Sequence, residues 1–184
     1  MSVRLILLCA GGTASARVGG FADPDEPLDD GGRAKAGAVV IDGPVPSRCF
    51  VSPGRAAVET AELIGLDAVV EPALADIDHG DWRGKGFAEI EPAGLMRWLA
   101  APEAGAPGGE TLADVVARVA PWLDGLCDAD GTVLAVTHAM VVRAVLVHSI
   151  GLPAAAAMAI DVGPLSQTVL SSNGRWRLQG LREG

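Results

Sequence analysis

Two stretches of the chain have the pattern of buried parallel strands that break into loops at their carboxyl ends. Residues 4–8 form a short apolar run met at once by Gly11 and Gly12, and residues 132–137 have the same form. After the second run, Val141, Val142, Val145 and Leu146 recur at helical spacing, so His138 falls at a strand-to-helix junction. Open α/β sheets bind ligands at such junctions, where strand ends and helix amino termini converge with unpaired amide donors.

The same patterning predicts the rest of the order. Strands are expected at 3–9, 48–52 and 132–137, with a short one near 68–71. Helices are expected at 29–38, 55–65, 110–127 and 139–151. In the helix over 110–127, Leu112, Val115, Val116, Val119, Leu123 and Leu126 form a core-facing stripe, with Trp122 at its edge. A mobile loop runs through to Pro27, another loop spans 76–86, one or two short helices fill 88–100, and 101–109 is a Pro, Gly and Ala linker. The chain closes with a pair of strands near 157–162 and 166–179, joined by Gly163 and Pro164. No internal repeat is evident, and strands alternating with helices imply one α/β domain over 1–184 with a mostly parallel sheet covered on both faces.

Composition narrows the function. With 184 residues and 49% hydrophobic content, one domain buries a full core without staples. A net charge of −9 and only two lysines argue against nucleic acid or an anionic membrane as partner. The three cysteines, Cys9, Cys49 and Cys127, show no pairing or metal-ligand spacing, and neither do the histidines, so the expectation is a reducing cytoplasm and no metal or other cofactor. The apolar run before Cys9 is too short for a signal peptide, and Leu8 rather than a small residue precedes the cysteine, so it reads as the first strand. No run approaches transmembrane length.

Strings along nearly the whole chain resemble those of the histidine phosphatase, or phosphoglycerate mutase-like, superfamily. LLCAGGT, over 7–13, stands where that family has LLRHGET. PLDDGGRAKA from Pro27 is similar to PLTELGRxQA, and VSPGRAAVETAELI from Val51 to SSPLxRAxQTAxxI. LADIDHGDWRG from Leu74 looks like LxEIDFGDWEG, PGGETLADVVARV from Pro107 like the GGESLxxVxxRV helix start, and VTHAMVVRAVL from Val136 like VSHGGVIRALL. Each string is weak alone, and one order at compatible spacings makes them specific together. The resemblance implies a three-layer α/β/α sandwich of the phosphoglycerate mutase-like kind.

It also locates the family's chemistry residue by residue. The nucleophilic histidine that accepts the phosphoryl group falls on Ala10, the arginine before it on Cys9 and the second arginine on Ala56. Arg55 is one residue early and, on a helix registered by Thr60 and Ala61, points about 100° away. The second histidine survives as His138, and the proton-donor carboxylate becomes the shorter Asp76. Gly12 and Ala16 replace the loop's glutamate and asparagine, and Thr13 is kept. Without a nucleophile at residue 10 the phosphohistidine route is closed. Losing two arginines removes charge-assisted hydrogen bonds worth roughly 10²–10⁴ in phosphate affinity if they add. Arg17, just after the loop, and Arg55 are the cations that a shifted register brings back to the pocket.

Two readings follow. The first is a degenerate family member that binds a small molecule or partner protein at the strand ends through Gly11, Gly12, Thr13, Arg17, Arg55 and Ala139; a homodimer is compatible with it. The alternative is an active hydrolase that acts on a phosphate ester or other ester through His138 with Cys9 or Asp76, the thiol beside an imidazole being the arrangement of a cysteine nucleophile. The bland counterparts are a cysteine buried as a small apolar residue, and a histidine that only satisfies nearby backbone. His79 is expected at the rim or in packing and His148 on the helix surface. Phe87, Trp82 and Trp98 are candidates to line the pocket, with core packing as the plain alternative.

Overall fold

The computed structural model describes residues 2–41, 43–127 and 129–184. Its centre is β1 (Val3–Cys9), whose edges are paired by a strand on either side and whose two faces are covered by separate layers of helices. β4 (Gly131–Thr137) pairs with it in parallel, and β2 (Arg48–Val51) and β3 (Val69–Val70) extend that parallel half. On the other side β5 (Gln167–Ser172) and β6 (Trp176–Arg182) run antiparallel, giving the order β3-β2-β4-β1-β5-β6.

The two-residue period of β1 divides the core into two layers. Val3, Leu5, Leu7 and Cys9 pack with Val115, Val119 and Leu123 of α5 (Leu112–Gly125) and with Val141, Val142 and Val145 of α6 (Ala139–Ile150). Ile6, Leu8 and Ala10 face the opposite way, against Ala36 of α2 (Asp30–Ala36) and Ala56, Ala57 and Ala61 of α3 (Arg55–Leu63). The architecture is the three-layer α/β/α sandwich that the resemblance implies. α5 starts on a reciprocal cap, Thr111 with Asp114, which satisfies its first free amides.

The close of the chain differs from the sequence reading. Residues 157–162 are not a strand: α7 (Ala154–Met158) occupies the alanine run, because four consecutive alanines have the highest helix propensity. The hairpin turns instead between Ser172 and Trp176, where Gly174 supplies the positive φ a tight turn demands, at +98°. The loop after β1 also contains a short helix, α1 (Ala14–Val18), capped by Thr13. The 88–100 region forms a 3₁₀ turn at Phe87–Glu89 and α4 (Pro92–Ala100), and the 101–109 linker contains a 3₁₀ turn at Pro102–Ala104.

Candidate functional site

The carboxyl ends of β1, β2 and β4 open together into a cavity of about 590 Å³. Its floor is the loop after β1, which is pinned from both sides. Ala10 N–H donates to Thr137 O at 2.8 Å, Cys9 N–H to Ser166 O at 3.0 Å, and Leu165 N–H to Cys9 O at 3.1 Å. Gly11 N–H donates to the buried Thr60 Oγ1 at 3.0 Å, and that hydroxyl donates to Ala56 O at 2.7 Å. A Cβ on Gly11 would fall 2.9 Å from Leu28 Cδ2 and 3.3 Å from Gly32 O, so a side chain there would displace its neighbours. The floor therefore presents Ala10, Gly11, Gly12 and Ala56, all small and uncharged.

Over this floor stands His138, the N-cap of α6. Its Nε2 shares a hydrogen bond of 2.8 Å with Ser52 Oγ at the end of β2, and its Nδ1 lies 3.6 Å from Asp76 Oδ2. Ser52 is fully buried and also accepts Gly54 N–H at 3.2 Å. Asp76 is held through its own backbone. Arg118 of α5 donates to Ala73 O and Ala75 O at 2.7 Å and to Asp76 O at 3.0 Å, and pairs with Glu110 at 2.8 Å. Thr137 Oγ1 adds a hydrogen bond to Leu74 O.

The structure brings Cys9, Gly11, Gly12, Thr13, Arg55, Asp76, His138 and Ala139 to this cavity, and leaves Arg17 outside it. Arg17 turns away into an ion pair with Asp29, which holds that carboxyl down to about 2, and it lines a neighbouring cavity of about 550 Å³. Arg55 reaches only the rim, where it pairs with Glu59 at 3.0 Å. Thr60 and Ala61 keep the helix register expected of them, so the buried face of α3 carries Ala56 rather than an arginine. Cys9 points into the apolar layer beneath α6. Burial, reinforced by the negative charge of Asp76, pushes its thiol up to about 12, so it is no thiolate at neutral pH.

Sequence reasoning assigned no role to Ser52 or Arg118, although both lie inside the strings that carry the resemblance. The serine of VSP and the arginine of VARV were the available signals. It also missed the balance of charge. Among the described residues five carboxylates line the cavity (Asp23, Glu26, Asp76, Asp78 and Glu110) against three guanidiniums, and Arg55, Arg83 and Arg118 are each already paired with a carboxylate.

The candidate aromatic lining is a packed cap instead. Phe21, buried to 1% exposure, touches His79, Trp82, Phe87 and Trp98 with ring centroids 5.0–5.3 Å apart, so Trp82, Phe87 and Trp98 are spent on one another and only His79 borders the cavity. Burial lowers the pKa of His79. Trp122 packs edge-on against Phe50, and His148 pairs with Asp124 at the surface. Among the described residues no group of three or more His, Cys, Asp or Glu is placed to hold a metal ion, and no helix is long and apolar enough to cross a membrane.

Comparison with known proteins gives a family match. The model of the histidine phosphatase superfamily, branch 1, matches residues 5–183. The native structure of mycobacterial glucosyl-3-phosphoglycerate phosphatase superposes with a TM-score of 0.86 at 27% identity, over 100% of both chains. A phosphoglycerate mutase from Thermus thermophilus superposes with a TM-score of 0.77 at 28% identity, over 98% of this chain and 99% of that one. Phosphoserine phosphatase 1 of Hydrogenobacter thermophilus is 33% identical over 101 residues, 52% of this chain and 48% of that protein. The matched segment spans between about a quarter and a half of the length of the curated relatives.

Proposed function

The chain belongs to branch 1 of the histidine phosphatase superfamily, and from that premise we propose that its pocket binds a ligand without forming a phosphohistidine. The observation that carries this reading is Ala10: a methyl group stands on the pocket floor where the resemblance places the nucleophilic imidazole. Two further features support it. The floor carries no cation to replace the lost arginines, and the surrounding carboxylates outnumber guanidiniums that are already paired. Stabilisation of a transferring phosphoryl group depends on cations around its oxygens. The preferred ligand is therefore an uncharged or cationic small molecule, or a protein segment of that character, rather than a phosphate ester.

A second reading is an active hydrolase that attacks a phosphate or other ester with water through His138 and Asp76. The comparisons favour it, since the relatives are named as phosphatases and a mutase. The His138 and Asp76 pair supports it as well. Cys9 as nucleophile is the weaker form, because its thiol is buried and protonated.

Turnover of an aryl phosphate and an aryl ester, measured for the wild type beside His138→Ala and Cys9→Ala, separates the readings. Rates equal in all three proteins support binding alone and direct the search to thermal-shift screening of amines and neutral metabolite-sized compounds. Turnover abolished by His138→Ala overturns the binding reading in favour of the hydrolase. Ester cleavage abolished by Cys9→Ala selects the thiol.

A further inference from the structure

Ser52 sits one layer behind the pocket, fully buried and outside the surface a ligand touches. We propose that it is a positioning residue that fixes His138 as its Nδ1–H tautomer and occupies the Nε2 lone pair. Two independent features of geometry lead there. Ser52 Oγ already accepts the Gly54 N–H, and among the described residues the only other partner within hydrogen-bonding distance is His138 Nε2, at 2.8 Å. A buried hydroxyl that donates must therefore donate to that nitrogen; a proton on Nε2 would strand the serine O–H without an acceptor. On the other side of the ring, Nδ1 faces Asp76 Oδ2 at 3.6 Å. A lone pair there would be aimed at a carboxylate, whereas an N–H is attracted to it, so both ends of the ring favour one tautomer.

Space for this arrangement comes from Gly54. A Cβ at that position would lie 3.1 Å from His138 Nε2 and 3.2 Å from Cε1, closer than ordinary contact, so a larger residue pushes the ring by a few tenths of an ångström and disturbs its hydrogen bond to the serine. The consequence is that neither ring nitrogen offers a free lone pair to the cavity. His138 is held as a rigid wall of the pocket, and to act as a base it must first give up Ser52. The assignment stands whether the pocket only binds or also hydrolyses, so its test is independent of turnover.

The experiment is long-range proton–nitrogen correlation of the ¹⁵N-labelled protein at a pH where the ring is neutral, with the His138 signals assigned by their loss in His138→Gln. Expected for the wild type is a protonated Nδ1 and an unprotonated Nε2 shifted by an accepted hydrogen bond. In Ser52→Ala the Nε2 signal moves to the position of a free lone pair, and carbethoxylation of His138 by diethyl pyrocarbonate runs about 2- to 10-fold faster, the equivalent of one neutral hydrogen bond. Ser52→Thr keeps the wild-type signature because it keeps the hydroxyl. Gly54→Ala moves Nε2 in the same direction as Ser52→Ala while leaving Ser52 in place, which guards against a folding defect in the serine variants. A wild-type spectrum with the proton on Nε2 overturns the proposal. So does an Nε2 shift that is unchanged in Ser52→Ala with the melting temperature intact.

Discussion

Thr60→Val replaces a hydroxyl by a methyl of the same shape, on a helix face where both residues have similar propensity. Thr60 is fully buried, and its Oγ1 does two things at once: it accepts the Gly11 N–H and donates to Ala56 O. The variant leaves the buried Gly11 amide with no acceptor, which costs about 1–3 kcal/mol. For a chain of this size each kcal/mol lowers the melting temperature by about 2–4 °C, so the expected fall is about 2–12 °C. Differential scanning calorimetry measures it. Thr60→Ser is the control, because it keeps both hydrogen bonds and loses only a methyl group, at about 1 kcal/mol. Amide exchange at Gly11 is the local readout, faster in Thr60→Val and unchanged in Thr60→Ser. A Thr60→Val protein that melts within about 1 °C of the wild type, with Gly11 still protected, would refute the reasoning that this hydroxyl holds the pocket floor to α3.

Three other outcomes are expected. With its thiol pushed up to about 12, Cys9 is ionised to roughly one part in 10⁴ at pH 8, so iodoacetamide leaves it unlabelled in the folded protein and labels it once the chain is denatured; mass spectrometry of its peptide decides this. Because the folded thiol is the raised one, that protection persists as pH rises past the ordinary thiol range and is lost only near pH 12 or on unfolding. Ala56→Arg places a guanidinium on the cavity wall, and its affinity for inorganic phosphate by isothermal titration calorimetry should rise about 10- to 150-fold, whereas Arg17→Ala should leave phosphate affinity unchanged. Phe21→Ala empties the centre of the aromatic cap and should cost about 3–5 kcal/mol in urea denaturation.

The strands that bear the site were legible because β1 and β4 are buried on both faces, which leaves an uninterrupted apolar run in the sequence. α5 was legible for the complementary reason: one face is buried and the other wet, so Val115, Val119 and Leu123 stand out at helical spacing. The final hairpin was misplaced because Gly163 and Pro164 are strong turn residues that here only lead into β5, while Asn173 and Gly174 make the actual reversal. At the site, Ala10, Ala56, His138 and Asp76 could be located from their strings, since each is tied to the end of a regular element. The fate of Arg17 was not readable, because it depends on a cross-loop partner, Asp29, twelve residues away. Ser52 escaped for a related reason: its significance arises only from contact with a side chain 86 residues further along.

The aromatic cap also bears on kinetics. Phe21 ties the loop after α1 to the segment around Trp82 and to α4, and the backbone reinforces the seam where Phe21 N–H donates to Lys85 O and Gly84 N–H to Phe21 O. A rim stitched in this way needs little further ordering, so a ligand arriving there would lose little free energy to loop ordering. On that basis entry and exit should depend on the width of the aperture more than on the opening of a lid. Capture should follow a single concentration-dependent phase, and residence time should be set by contacts made inside.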